Sequence, residues 1–374
     1  MKTKREIELR NKANAKSILI TGGYGVIGQE ISRILRERHP NLKIILAGRN
    51  PEKAAEMASS LGNAEAVTVD IYARNPLQSL PFTPSAVINS VNDTYDYLLL
   101  DCVQRKIPVL DITRWAQRLR DTFGRLMVEK LSSPYLVGSG WMGGITPMLA
   151  AAAGRRFAEV DAIDIEVLQG TKDRSGPDSA EYALQFHSPI FVYIDGRHVA
   201  LPAYSSPKKV TFPSGFTGNT YLFDASEHFT LPITTGAANV RCRISLDNKL
   251  LMTAGVCLMR SGVMQLFSHP RYMKLKHALL HNPGPGASHQ IMIHVTGIAQ
   301  QGEAGVTDIT VVCPEGQVRL TACGAVIQAE RLMGLDGMEP PGPGIHFPEK
   351  CRNLPSALRL LDDNGVTVSS SVPL

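Results

Sequence analysis

The sequence predicts an α/β protein in which an N-terminal doubly wound parallel sheet is followed by a second domain of α+β type. Three observations predict it. Residues 16–49, KSILITGGYGVIGQEISRILRERHPNLKIILAGR, read as strand, glycine turn, helix and strand, the βαβ unit that opens dinucleotide-binding folds. Strand and helix patterns keep alternating to about residue 150, which is the signature of a parallel sheet covered on both faces. Beyond that point the runs alternate polar with apolar and are broken by turn signals, as half-buried strands are.

Within the opening unit, Ser17–Thr21 is an apolar strand, and Ile27, Ile31, Ile34 and Leu35 share one helix face. Gly22 permits the tight exit from the strand. Gly25 lets backbone approach a pyrophosphate, and Gly28 lets the helix pack close to the strand. The helix N-terminus then offers free N–H groups and a partial positive charge to phosphates. Gly22, Tyr24, Gly25, Val26 and Ile27 are therefore the expected phosphate-holding stretch. The second strand, Lys43–Ala47, ends in Gly48-Arg49-Asn50, where NAD sites usually carry a carboxylate for the ribose. Arg49 can pair with a 2′-phosphate, so the expected cofactor is NADP. A solvated arginine at a strand end is the plainer reading of the same residue.

A helix from Pro51 to Leu61 follows, opened by its proline. Strands are expected at 66–70, 85–91, 107–111 and 134–137, with helices at 95–106 and 115–131 between them. Asp70 ends the third strand, where an adenine could lie or where it caps the next turn. Asn89 and Ser90 end the fourth and face the crevice where such sheets bind ligands. The sixth strand runs into Gly138-Ser139-Gly140-Trp141-Met142-Gly143-Gly144-Ile145-Thr146-Pro147, and Met148–Phe157 reads as an alanine-rich helix crossing to the second domain. Further strands are expected at 161–167, 190–194, 198–201, 240–245, 292–297, 308–313 and 318–321, and helices at 323–333 and 354–362. The resulting division is a dinucleotide-binding Rossmann domain over residues 1–150, an α+β substrate and dimerisation domain over 151–335, and a tail over 336–374 that returns to the first domain.

Composition narrows the function. The net charge of +5 is mild, and its only dense run is the N-terminal MKTKREIELRNKANAK; no basic face with interleaved aromatics points to nucleic acid. The 6 cysteines are scattered without a Cys-x-x-Cys pair, which reads as reduced thiols rather than a disulfide frame or zinc site. No apolar run is long enough to span a membrane, and no signal-peptide pattern opens the chain. A cytoplasmic protein acting on a small molecule is expected, with no metal: the histidines show no ligand spacing backed by a carboxylate.

On the stretches Ile20–Gly28, Leu46–Asn50, Ala86–Asn89, Val109–Asp111 and Gly138–Pro147, the chain resembles the saccharopine dehydrogenase (saccharopine reductase-like) NADP-binding family over about its first 155 residues. Relatives often carry Pro-Gly where this chain has Gly143-Gly144. The resemblance implies a Rossmann domain joined to an α/β domain whose sheet helps form a homodimer. It also implies hydride exchange between NAD(P)H and an imine.

Hydride transfer needs few protein groups beyond position and a proton donor. Asp111 and Tyr95, near the strand mouths, are the catalytic candidates, although helix capping suits Asp111 better. Asn92 and Ser139 stand near the same mouths, and Gly140 and Trp141 would wall the nicotinamide. Two Tyr-x-x-x-Lys spacings, Tyr204…Lys208 and Tyr272…Lys276, fall outside the half of the chain where that pair works. His187, His228, His269, His281, His289 and His294 read as surface or hydrogen-bonded residues before general acids. Lys172, Arg174, Arg241 and Arg243 could hold an anionic substrate, the last two from one strand face, or could be solvated. The aromatic stretch 186–223 lines an apolar cleft or is core. Three functions follow: an imine or carbonyl reductase, a reductase of a C=O or C=C bond on an apolar metabolite, and a non-catalytic NADP-binding sensor.

Overall fold

The computed structural model describes residues 16–174, 189–261 and 286–374. The N-terminal arm, Phe186, His187, His269, Tyr272, Lys276, His281 and the loop 282–285 lie outside the described residues. In chain order the first half comprises β1 (Ser17–Thr21), α1 (Val26–Arg38), β2 (Lys43–Gly48), α2 (Pro51–Leu61), β3 (Ala64–Thr68), β4 (Ala86–Asn89), α3 (Tyr97–Arg105), β5 (Val109–Asp111), α4 (Ala116–Leu126), β6 (Pro134–Val137) and α5 (Trp141–Gly154). The second half comprises β7 (Phe157–Gln169), β8 (Ile190–Ile194), β9 (Arg197–Leu201), β10 (Lys208–Thr211), β11 (Thr217–Leu222), α6 (Glu227–Thr235), β12 (Asn239–Leu246), α7 (Lys249–Arg260), β13 (His289–Ala299), β14 (Ala304–Cys313), α8 (Gln317–Met333), β15 (Gly344–His346), α9 (Leu354–Asp363) and β16 (Thr367–Ser370).

The first sheet runs β15-β6-β5-β4-β1-β2-β3, and each of its pairs is parallel. Its central strands are apolar on both faces, as burial under helices on each side requires: Ile18, Leu19 and Ile20 are all fully buried. The order reverses between β1 and β4, which opens a crevice at their carboxyl ends. The second sheet runs β10-β11-β12-β7-β13-β14-β16, with the β8–β9 hairpin attached through β12. Only β7 and β12 pair in parallel there. Its inner face, carrying Ile163, Ile165, Val240, Cys242, Ile291 and Ile293, joins one apolar core with Ile18, Ile20 and Ile88 of the first sheet through α5 and α8.

Several elements differ from the sequence expectation. Residues 318–321, expected as a strand, form the first turn of α8, which is buried along nearly its whole length. A helix buried on nearly every side, with polar residues such as Gln328 and Glu330 among the buried ones, shows no clean 3.6-residue stripe, and its β-branched Val318 and Thr321 then mimic a strand. Phe157 belongs to β7 rather than to the crossing helix, which stops at Gly154. Pro232 lies within α6, so the helix is hidden from a reading that treats proline as a breaker. The tail supplies a strand to each sheet: β15 pairs with β6 and β16 with β14.

Candidate functional site

The crevice is built around the turn between β1 and α1. The chain leaves β1 through Gly22, whose N–H donates to Ala47 O at 2.8 Å, and Gly25 N–H closes the turn on Gly22 O at 2.7 Å. Gly25 is the N-cap of α1 and carries no side chain to satisfy the first N–H groups, and the first turn holds no acidic residue. Those donors face the crevice uncompensated, which suits an anion. A Cβ on Gly28 would run into Gly22 O and the Gly23 backbone, so close helix–strand packing is what this glycine permits. The turn therefore fits a dinucleotide pyrophosphate.

At one end of the turn, Tyr24 lies across Gly48, where a Cβ would strike its ring. The Tyr24 hydroxyl accepts from Asn50 N–H at 2.9 Å, and Asn50 Oδ1 in turn caps α2 by accepting from Lys53 N–H. Arg49 is exposed, with its guanidinium 5.7 Å from the Tyr72 ring centroid. Tyr72 meets Tyr95 edge-on at 6.3 Å, and Tyr95 stacks on Tyr97 at 5.3 Å. Asp70 accepts from Tyr72 N–H at 3.1 Å, the capping role. Tyr95, half exposed, thus joins Arg49 and Tyr72 at the β2–β3 side of the crevice and not the β5–β6 side, where a proton donor would be wanted.

Across the mouths of β1, β4 and β5 the polar side chains bond to one another. Thr21 Oγ1 donates to Asn89 Oδ1 at 2.8 Å, Asn89 Nδ2 donates to Asp111 Oδ2 at 3.2 Å, and Ser90 Oγ donates to Thr21 O at 2.6 Å. Asp111 is 1 % exposed and also accepts from Thr113 N–H, Thr113 Oγ1 and, at 2.8 Å, Arg114 Nε. Arg114 is buried too, bonded to Asp96, with Asp93 Oδ2 at 3.7 Å. Arg118 and Arg125 reach Asp96 at 3.1 Å from the surface side. Burial pushes Asp93 up to about 6 against the pull of Arg114. Burial opposes the Arg114 charge, but the surrounding carboxylates overcome it and hold the guanidinium protonated. Asp111, expected as an acid, is thus held as one carboxylate of a buried ion network. Asn89 likewise bonds across the strand mouths.

The β6 mouth carries the junction with the second sheet. Met142, Gly143 and Gly144 all have positive φ, of 56°, 65° and 89°. Proline cannot take position 143 at that φ. Trp141 N–H donates to Glu227 Oε1 at 2.6 Å, and Ser226 Oγ donates to Ser139 O at 2.9 Å. Trp141 Nε1 donates to His289 Nε2 at 3.2 Å, and His289 Nδ1 lies 3.6 Å from Asp173 Oδ2. Asp173 also accepts from Gln317 N–H at 3.0 Å, capping α8. Trp141 packs edge-on against Phe223 at 4.9 Å. Three segments far apart in sequence thereby fix one indole beside the crevice. Glu227, Asp173 and Arg114 carry no motif or spacing that singles them out beforehand; His289 stood only among the ordinary histidines.

Glu227 makes a pH prediction. Burial raises its carboxyl to about 7, with Trp141 N–H pulling the other way. An acid whose folded pKa is raised stabilises fully below its unfolded pKa and loses that contribution as pH rises through the folded one. His228, which burial holds down at about 3, has the opposite slope at lower pH. The wild type minus Glu227→Gln difference isolates the carboxyl. Melting curves should show the variant gaining on wild type from about pH 5 to pH 8, by on the order of 2–3 kcal/mol. A pH-independent difference would refute it.

Arg241 and Arg243 lie on the sheet face away from the crevice. Arg243 bonds Asp164 at 3.2 Å and Glu166 at 3.1 Å, Lys208 bonds Glu166 at 3.1 Å, and Arg241 stands 3.8 Å from Asp164. They are neutralised by carboxylates on the adjacent strand and do not reach a ligand between the sheets. Lys208 is committed here and Tyr204 is buried, pushed up by that burial, so Tyr204…Lys208 forms no proton-donating pair. Among the described residues no cluster of metal-ligating side chains occurs, and no helix is long and apolar enough to cross a membrane.

No protein-family model matches the chain, and no curated protein matches it in sequence. Its fold resembles that of solved structures. The apo saccharopine dehydrogenase (L-Glu forming) of Saccharomyces cerevisiae superposes with a TM-score of 0.68 at 13 % identity, covering 96 % of this chain and 100 % of the other. A meso-DAP dehydrogenase variant from Clostridium tetani gives a TM-score of 0.46 at 12 % identity, over 91 % of this chain and 95 % of that one. GenD2 of gentamicin A biosynthesis, in complex with NAD, gives 0.42 at 11 %, over 94 % and 92 %.

Proposed function

We propose that the protein is an NADP-dependent oxidoreductase of the saccharopine reductase type, moving a hydride between NADPH and an imine or carbonyl-derived small molecule. The observation that carries this reading is the uncapped, acid-free N-terminus of α1 behind Gly22–Gly25, set beside an exposed Arg49 with no carboxylate at the end of β2. When bound, the nicotinamide supplies the reactive hydrogen. The chain's residues do the rest. Gly22, Tyr24, Gly25, Val26 and Ile27 hold the pyrophosphate. Arg49 and Asn50 meet the 2′-phosphate and ribose, and Tyr72 and Tyr95 give the adenosine an aromatic wall. Gly140 and Trp141 border the nicotinamide, with Trp141 oriented by His289 and Glu227. Asp111 acts as a positioning residue that stiffens the mouths of β4 and β5. Fluorescence titration should show NADPH binding tighter than NADH, with NADPH weakened about 10-fold or more in Arg49→Asp. Binding of neither nucleotide would overturn the reading.

One observation favours a second reading, a reductase of a C=O or C=C bond on an apolar metabolite. The cations expected to select an anionic substrate, Arg241 and Arg243, are paired with Asp164 and Glu166 instead. Phe223 packs on Trp141 beside the crevice. Screening imines, carbonyls and enones for NADPH oxidation separates the two.

A further inference from the structure

A second cavity, of about 430 Å³, lies on the flank where the carboxyl ends of α5 and α8 meet the C-terminal segment. Arg155, Arg331, Lys350 and Arg352 line it, against Asp336 and Glu339. It is separate from the crevice: Arg155 follows the end of α5, while Trp141 stands at its start, so the regular helical body over residues 145–154, roughly 15 Å long, lies between them. The size falls within the range of small-ligand pockets, about 300–1,000 Å³.

Its charges are left over rather than balanced. Among the described residues none of the four cations lies within 4.0 Å of a carboxylate. Of the two acids, Asp336 Oδ1 turns back on its own loop to accept from Met338 N–H, and Glu339 is exposed at the rim. Three of the cations spend one donor each on a backbone carbonyl: Arg331 on Phe347 O at 2.6 Å, Lys350 on Thr234 O at 3.1 Å and Arg155 on Glu349 O at 3.4 Å. Of these, Thr234 O lies at the end of α6, where satisfying a free carbonyl is the ordinary use of a lysine. These bonds account for one donor of the five on each guanidinium, and for none on Arg352. Arg331 matters most, since it is 7 % exposed and has no counter-charge in contact; a buried guanidinium is costly unless paired. Burial lowers its affinity for the proton and the Arg352 charge adds to this, while Cys351, Asp336 and Glu349, beyond contact distance, offset only part of it. His346, on the same wall, is pushed down by burial, with Arg331 and Arg352 also repelling its proton against the bond to Gly342 O.

We propose that this cavity is a binding site for a small organic polyanion, a metabolite carrying two or more carboxylate or phosphate groups. Planar guanidinium forks match both oxyanions bidentately. The ligand would supply the missing counter-charge to Arg331 and join α5, α8 and the C-terminal segment, all three of which pass between the two sheets or along them. The inference is independent of the dinucleotide reading.

The test is calorimetric titration of the full chain with citrate and, separately, inorganic pyrophosphate, with acetate as a monoanion control at matched ionic strength. Saturable binding of one or both polyanions is expected, weakened at least about 10-fold in Arg352→Glu and in Arg155→Glu and retained in Arg49→Asp. Citrate alone binding assigns carboxylates; pyrophosphate alone assigns phosphates. Both arginines are exposed, and unchanged melting temperatures verify that the variants are folded. Absence of saturable binding, equal affinity in the charge-reversal variants, or loss in Arg49→Asp would overturn the proposal.

Discussion

Arg114→Ala is expected to be the most damaging single substitution outside the apolar core. Its guanidinium sits within reach of Asp93, Asp96 and Asp111, each of them at most 2 % exposed. Removing it leaves three carboxylates in a space that excludes water. Breaking a buried ion pair by deleting one partner costs about 3–5 kcal/mol, and here three acids lose the same partner. Arg118 and Arg125 still reach Asp96 but do not pair with Asp111. Urea unfolding should show the midpoint collapse or no cooperative transition at pH 7. Partial recovery is expected as pH falls toward 5, because Asp93 already holds its proton up to about 6 and a protonated acid needs no counter-charge. A stability within about 1 kcal/mol of wild type would show that the network is not structural.

Gly28→Ala is expected to abolish dinucleotide binding while sparing most of the sheet. The added methyl would collide with Gly22 O and the Gly23 backbone, and backbone cannot swing aside as a flexible side chain can. Relief requires α1 to move away from the turn, carrying the N–H groups of its first turn off the phosphate position. NADPH affinity should fall by roughly 100-fold, ~2.7 kcal/mol, with a smaller loss in melting temperature. Wild-type affinity in this variant would mean that the phosphates lie elsewhere.

The first sheet was legible because its information is local. Each strand of residues 17–137 is a short apolar run between glycine, proline or polar turns, and the Gly22–Gly28 turn announces its own neighbours. The second sheet was half legible. Its inner positions, such as Ile163, Ile165 and Val240, alternate with polar ones, but β10, β11 and β16 are short and mostly polar on their exposed faces, so no apolar period marks them. The candidate site divides in the same way. The turn, Arg49 and Trp141 could be proposed from sequence because each belongs to one continuous segment. Asp111 was found and given the wrong environment, since nothing in its neighbourhood announces Asp93 and Asp96 closing on Arg114 from the β4–α3 loop.

The sequence by itself determined the βαβ opening, the parallel sheet, the exposed arginine at the end of β2 and the change of character near residue 150, because hydrophobic period and glycine geometry are properties of neighbouring residues. Only the tertiary structure decided which charges are spent. Arg243 is neutralised by Glu166, 77 positions away, Trp141 is aimed by His289, 148 positions away, and β15 returns to close the first sheet beside β6. Electrostatics and close packing depend on distance in space, and burial makes an ion pair or an unpaired cation matter; both are fixed only once the two sheets share a core.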